Sequence, residues 1–259
     1  MTITLTIANQ KGGVGKTSTV YHLARAAILA DMRVLAIDLD QQGNLTTFLA
    51  GESASTGQAS VADVLTQAVP VDQAIVSGLW DGLDLLPVTS GEALAATRHQ
   101  LTSDPGGNHK LAEALATVAG RYDLILIDTA PAIDALTFNA LVAASQVLVV
   151  TQSSELALAG ISPLFETIAK MRKYFNPALA VTGFLPSLHE QQTLSGKHYL
   201  EALAENAAEI DVPVLAPIPR SAAVRDSAQT RHGLDEWASP NAQDLTNLYA
   251  SHLTAILNH

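Results

Sequence analysis

The chain has 259 residues, a formal net charge of -11 and no cysteine. The missing thiols exclude disulfides, thiolate nucleophiles and cysteine-held iron–sulfur clusters. The acidic balance excludes wholesale coating of nucleic acid, which needs Lys and Arg to displace counterions from phosphates, so any DNA contact must come from a local patch.

Hydrophobic residues make up 48% of the chain, in runs shorter than the roughly 18 apolar residues of a membrane span. A soluble, cytoplasmic protein without signal peptide is expected, with residues 1–259 forming one α/β domain. Ile3-Thr4-Leu5-Thr6-Ile7-Ala8 alternates and is β-branched, which predicts a strand over 3–8. A phosphate-binding loop of the usual pattern would need glycine at position 10, where this chain has Gln10. The rest of the loop is present. Gly12, Gly13 and Gly15 let the backbone around Val14 curl its N–H groups about an anion, and Lys16 and Thr17 are placed to meet terminal phosphates and a magnesium ion. The apolar spacing from Thr17 through Ser18 to Ala30 predicts a helix whose positive dipole end faces those phosphates.

The next strand, over 33–38, runs through Val34-Leu35-Ala36-Ile37 into Asp38-Leu39-Asp40. Period-two geometry puts both acids on one side of the chain; we assign the metal shell to Asp38 and positioning of the attacking water to Asp40. Residues 51–82 and 98–110 read as peripheral loops and short helices, with 103–108 as a mobile loop. Further strands are predicted at 83–88, 123–127, 146–150 and 180–185. Leu124-Ile125-Leu126-Ile127 leads into Asp128, a carboxylate placed to hold magnesium directly or through water. Helix-like segments between the strands predict a doubly wound, mainly parallel sheet flanked by helices, with ligands bound beyond the C-terminal strand ends. Residues 240–258 carry Leu245, Leu248, Tyr249, Leu253, Ile256 and Leu257 at helical spacing with no Lys or Arg, which fits a packed helix and not a membrane-surface one. His22, His99, His189, His198 and His232 are scattered and form no second catalytic constellation.

With these residues in place, the chain resembles the ParA family of partition ATPases, in the wider deviant Walker A group of P-loop NTPases that includes MinD. The segments that carry the resemblance are 8–17, 34–44, 122–131 and 155–160. It implies ATP and Mg²⁺ as cofactors, slow partner-stimulated hydrolysis, and an ATP-dependent homodimer in which Lys11 reaches the other subunit's phosphates. It also implies non-specific DNA binding at the nucleoid and a ParB-like centromere-binding partner in plasmid or chromosome partition. Pro219 and Ser221 fall where the family places residues against adenine, with Ser221 in place of an asparagine. Arg225 matches a basic position used for DNA, and Lys197 is assigned beside it because Gln191-Gln192-Thr193 lacks an arginine often found there. Seven of the fourteen Lys and Arg lie between 170 and 231, interleaved with six acids. Two alternatives stay open: a MinD-like or other cargo-positioning switch that does not act on DNA, and a metabolic ATP-dependent ligase or kinase of the same fold.

Overall fold

The computed structural model describes residues 2–50, 57–152, 161–190 and 192–259. The segment 155–160 and Gln191 lie outside them. Among the described residues seven strands form one sheet: β1 (Ile3–Ala8), β2 (Val34–Leu39), β3 (Val76–Ser77), β4 (Leu83–Leu86), β5 (Leu124–Thr129), β6 (Gln146–Gln152) and β7 (Ala180–Ser187). Their order is β3-β4-β2-β5-β1-β6-β7, parallel except for β3. The doubly wound parallel fold is therefore observed, and all six predicted strands are present. The helices are α1 (Lys16–Leu29), α2 (Asn44–Leu49), α3 (Val61–Leu65), α4 (Val71–Ala74), α5 (Gly91–Ser103), α6 (Lys110–Ala116), α7 (Ala135–Ala143), α8 (Ile161–Tyr174), α9 (Leu194–Glu209), α10 (Ala222–Thr230) and α11 (Pro240–Leu257).

Every residue of β2 and β5 is buried, as expected of strands covered on both faces. Alternation splits them between two cores. Leu124 and Leu126 join Leu5, Leu23 of α1 and Tyr249 and Leu253 of α11, whereas Ile125 and Ile127 join Ile37, Leu94 of α5 and Leu136 of α7. The predicted terminal helix is seen as α11, which buries Leu245, Tyr249, Leu253 and Ile256. Ser239 caps it by accepting a hydrogen bond from the Ala242 amide at 3.3 Å. No described helix is long and apolar enough to cross a membrane.

The segment expected to be a mobile loop is tied at several points. Asp104 accepts from the Gly106 amide at 2.9 Å and pairs with Lys110 at 3.2 Å. The buried Asn139 amide donates to the Gly107 carbonyl at 2.7 Å. A Cβ on Gly107 would lie 2.1 Å from the Leu101 carbonyl oxygen, so only glycine fits there.

Two imidazoles are sealed into the α1–α11 side of the core. His22 donates from Nε2 to the Val224 carbonyl at 3.0 Å, and His252 is equally buried. Burial lowers each from the ordinary 6.5 to about 4. The unfolded chain therefore takes up protons near pH 6.5 while the native state refuses them until about pH 4, and stability is lost as pH falls through that window. His22→Gln removes one such proton. The stability gap between wild type and this variant should shrink by about 2 kcal/mol between pH 7.5 and pH 5. Urea unfolding at the two pH values measures the gap, and a constant gap would contradict the assignment.

Candidate functional site

The parallel register brings Asp38 of β2 directly opposite Asp128 of β5, with Ile7 of β1 on the other side of Asp128. Three strand ends are thus level, and the loop after β1 rises over two carboxylates. That loop is pinned from below. Asn9 accepts from the Lys11 amide at 2.9 Å and donates to the Val150 carbonyl at 2.6 Å. Ser187, at the end of β7, donates to the carbonyls of Val14 and Thr151. Gly13 and Gly15 have φ of +72° and +88°, a region other residues enter only with strain. Gly12 has an ordinary φ and sits 3.8 Å from Pro131 by its would-be Cβ, so its freedom is not what bends the loop.

Gly15 caps α1 without a side-chain hydrogen bond, leaving the first-turn N–H groups directed at the loop, as an anion site requires. Lys16 is buried and donates from Nζ to the Lys11 carbonyl at 3.3 Å. Burial lowers its pKa, and the charges of Asp128 and Asp40 oppose that shift. Thr17 donates to Asp128 Oδ2 at 2.6 Å. Asp128 Oδ1 is buried and has no partner among the described residues.

Burial raises the pKa of both Asp38 and Asp128, and the charge of Asp38 raises Asp128 further. A cation beside Asp128 would offset that cost and satisfy the orphaned oxygen. Among the described residues no cluster of three or more His, Asp or Glu could hold a metal alone. The donor set of Thr17 and Asp128 instead suits magnesium, which takes one or two protein ligands with phosphate oxygens and water. Asp38 is engaged differently: its Oδ2 accepts from the amide and hydroxyl of Thr46, both at 2.8 Å, and its Oδ1 accepts from the Asp40 amide at 3.0 Å.

A cleft of ≈ 490 Å³ opens above the loop, within the usual range for a small-molecule site. Gly12 to Thr19, Asp40, Pro219, Ser221 and Arg225 line it, and Phe48, Ile218, Val224 and Tyr249 give it an apolar end. Pro219 and Ser221 reach the cleft because the chain before them runs beside β7. Leu215 donates to Phe184 at 2.8 Å, Ile218 to Pro186 at 2.7 Å, and His189 to Ile218 at 2.9 Å. The Ser221 hydroxyl accepts from the Asn241 amide at 3.2 Å, so a carboxamide stands beside the position where serine replaces asparagine.

Arg225, assigned to DNA from the sequence, lies at this cleft and pairs with Asp226 at 2.8 Å. Lys197 is exposed on α9 and does not line the cleft. Arg220 pairs with Glu190 at 2.9 Å, which neutralises part of the basic segment. Thr46, Ser187 and Asn241 were not singled out from the sequence. Only Thr46 left a signal there, as a hydroxyl in the first helical turn after the two acids.

A family model described as "AAA domain" matches residues 2–181. The chain is 36% identical over 190 residues to the chromosome partitioning protein ParA of Caulobacter vibrioides, covering 73% of this chain and 70% of that one. It is 34% identical over 229 residues to the sporulation initiation inhibitor protein Soj of Bacillus subtilis, covering 88% of each. Among solved structures, a cobyrinic acid a,c-diamide synthase from Mycobacterium smegmatis with bound ADP and magnesium is 33% identical. It superposes with a TM-score of 0.80 over 100% of this chain and 95% of that one.

Proposed function

The chain belongs to the ParA/MinD family of partition ATPases, and from that premise we propose that it is a Mg²⁺-dependent ATP hydrolase that switches between a monomer and an ATP-bound dimer, binds DNA non-specifically as the dimer, and is stimulated by a ParB-like partner. The observation that supports it most is the convergence of Lys16, Thr17, Asp40, Pro219 and Ser221 on one cleft, with Thr17 bonded to Asp128, whose other oxygen is orphaned.

The loop amides and the α1 N-terminus cradle the phosphates, Lys16 takes the terminal phosphate oxygens, and the apolar end of the cleft receives the base. Thr17 and Asp128 would hold magnesium, which would supply neutralisation of charge on the phosphate oxygens. Asp40 orients the attacking water. Phosphoryl transfer asks for positioning and charge neutralisation more than for a strong base, so a carboxylate suffices. Lys11 of each subunit adds a cation at the other's triphosphate, and its contacts make dimer formation depend on the γ-phosphate.

DNA would meet the dimer through basic residues such as Lys197, with Arg225 close to the nucleotide. Co-sedimentation with DNA should require ATP and fall at least tenfold between 50 and 200 mM salt. Binding without nucleotide, or binding insensitive to salt, would overturn the DNA part of the proposal.

The likeness to the structure described as a diamide synthase favours one second reading, an ATP-dependent ligase acting on a small acid. A screen for a second, amidated or phosphorylated product decides between the two.

A further inference from the structure

Resting on the reading of the cleft as an ATP hydrolysis site, we infer that Thr46 is a positioning residue for that reaction, which sets the Asp40 turn through the buried carboxylate of Asp38 and ties that turn to the loop between β4 and α5. Asp38 is fully buried, and three of its lone-pair sites are filled from within the chain. Two are filled by the amide and hydroxyl of Thr46 at 2.8 Å and one by the Asp40 amide at 3.0 Å. The Thr46 hydroxyl in turn accepts from the Val88 amide at 2.9 Å. A continuous line of hydrogen bonds therefore runs from Val88 through Thr46 and Asp38 to the backbone of Asp40, whose own carboxylate accepts from the Gln42 amide at 3.0 Å.

The same loop presses on the turn directly. A Cβ on Gly91 would lie 2.4 Å from the Gln41 carbonyl oxygen, so backbone meets backbone there. A Cβ on Gly43, whose φ is +63°, would lie 3.8 Å from Val88. Asp38 thereby serves as an internal brace, and magnesium falls to Thr17 and Asp128, whose Oδ1 alone lacks a partner in this pair of carboxylates. The assignment of Asp38 to the metal shell is replaced by a structural one. A shift of the Val88–Gly91 loop moves Asp40 with it, which gives that loop a route to the hydrolysis rate.

The test compares Thr46→Val, which removes the hydroxyl, with Thr46→Ser, which keeps it. Thr46→Val is expected to lower kcat about tenfold or more while affinity for a fluorescent ATP analogue stays within about twofold. Thr46→Ser should restore kcat. Separately, the magnesium concentration for half-maximal analogue binding should rise about tenfold or more in Asp128→Asn and stay within about twofold in Asp38→Asn, because only the first removes a metal ligand. Wild-type kcat in Thr46→Val, equal losses in Val and Ser, or a magnesium shift in Asp38→Asn as large as in Asp128→Asn would each overturn the inference. A wild-type protein that binds the analogue and hydrolyses no ATP would reject the hydrolysis reading instead, and the magnesium arm, which needs binding alone, still decides the role of Asp38.

Discussion

Asp40→Ala is expected to slow ATP hydrolysis by about a hundredfold or more while nucleotide affinity stays near that of wild type. The residue lines the cleft and is half-exposed, and its carboxylate is oriented by the Gln42 amide at 3.0 Å. It is not needed to hold the phosphates, since the loop amides, Lys16 and Thr17 are untouched by the substitution. Nor does it brace the turn, a task that falls to Asp38 and Thr46. Truncation therefore removes water positioning together with the bond to the Gln42 amide, and the ATP-bound form should accumulate. Phosphate release measured beside nucleotide binding separates the two effects; turnover at the wild-type rate would exclude Asp40 from the reaction.

Lys11→Ala is the second large effect. The Lys11 backbone is fixed inside the loop, its amide by Asn9 at 2.9 Å and its carbonyl by Lys16 at 3.3 Å. The substitution leaves both contacts available, so the loop should keep its shape and bind nucleotide. In the proposed dimer the substitution would remove a cation delivered to the neighbouring subunit's triphosphate, a type of contribution worth on the order of a thousandfold in rate. Turnover should fall by about that factor, and ATP-dependent dimerisation should disappear with it. If the variant hydrolysed ATP as fast as wild type, Lys11 would be an ordinary loop residue.

Much of this could be read from local pattern. The β1 run, the glycine loop and the α1 spacing form one continuous signal, and the acids that end β2 and β5 stand out because apolar residues precede them. Their meeting follows from strand order, since β2 and β5 are neighbours in the sheet and their registers place Asp38 against Asp128. The two-residue strand β3 escaped notice because Val76–Ser77 is too short to show alternation. The tie at 103–108 escaped because it depends on Asn139, on another helix. Ser187 was invisible for the same reason, lying 173 residues from the Val14 carbonyl that it holds. The two acids look alike in sequence, and they part only when each oxygen's partners are counted: both oxygens of Asp38 are engaged by Thr46 and Asp40, whereas Asp128 Oδ1 has no partner among the described residues. The place of Arg225 beside the cleft was not legible, because it depends on how α10 packs there.

The switch itself is tested most directly by the solution mass of Asp40→Ala, measured by light scattering with ATP and Mg²⁺ and again with ADP and Mg²⁺. The expected result is twice the 27.2 kDa of the chain with ATP and 27.2 kDa with ADP. A mass of 27.2 kDa in both nucleotides would contradict the ATP-driven dimer.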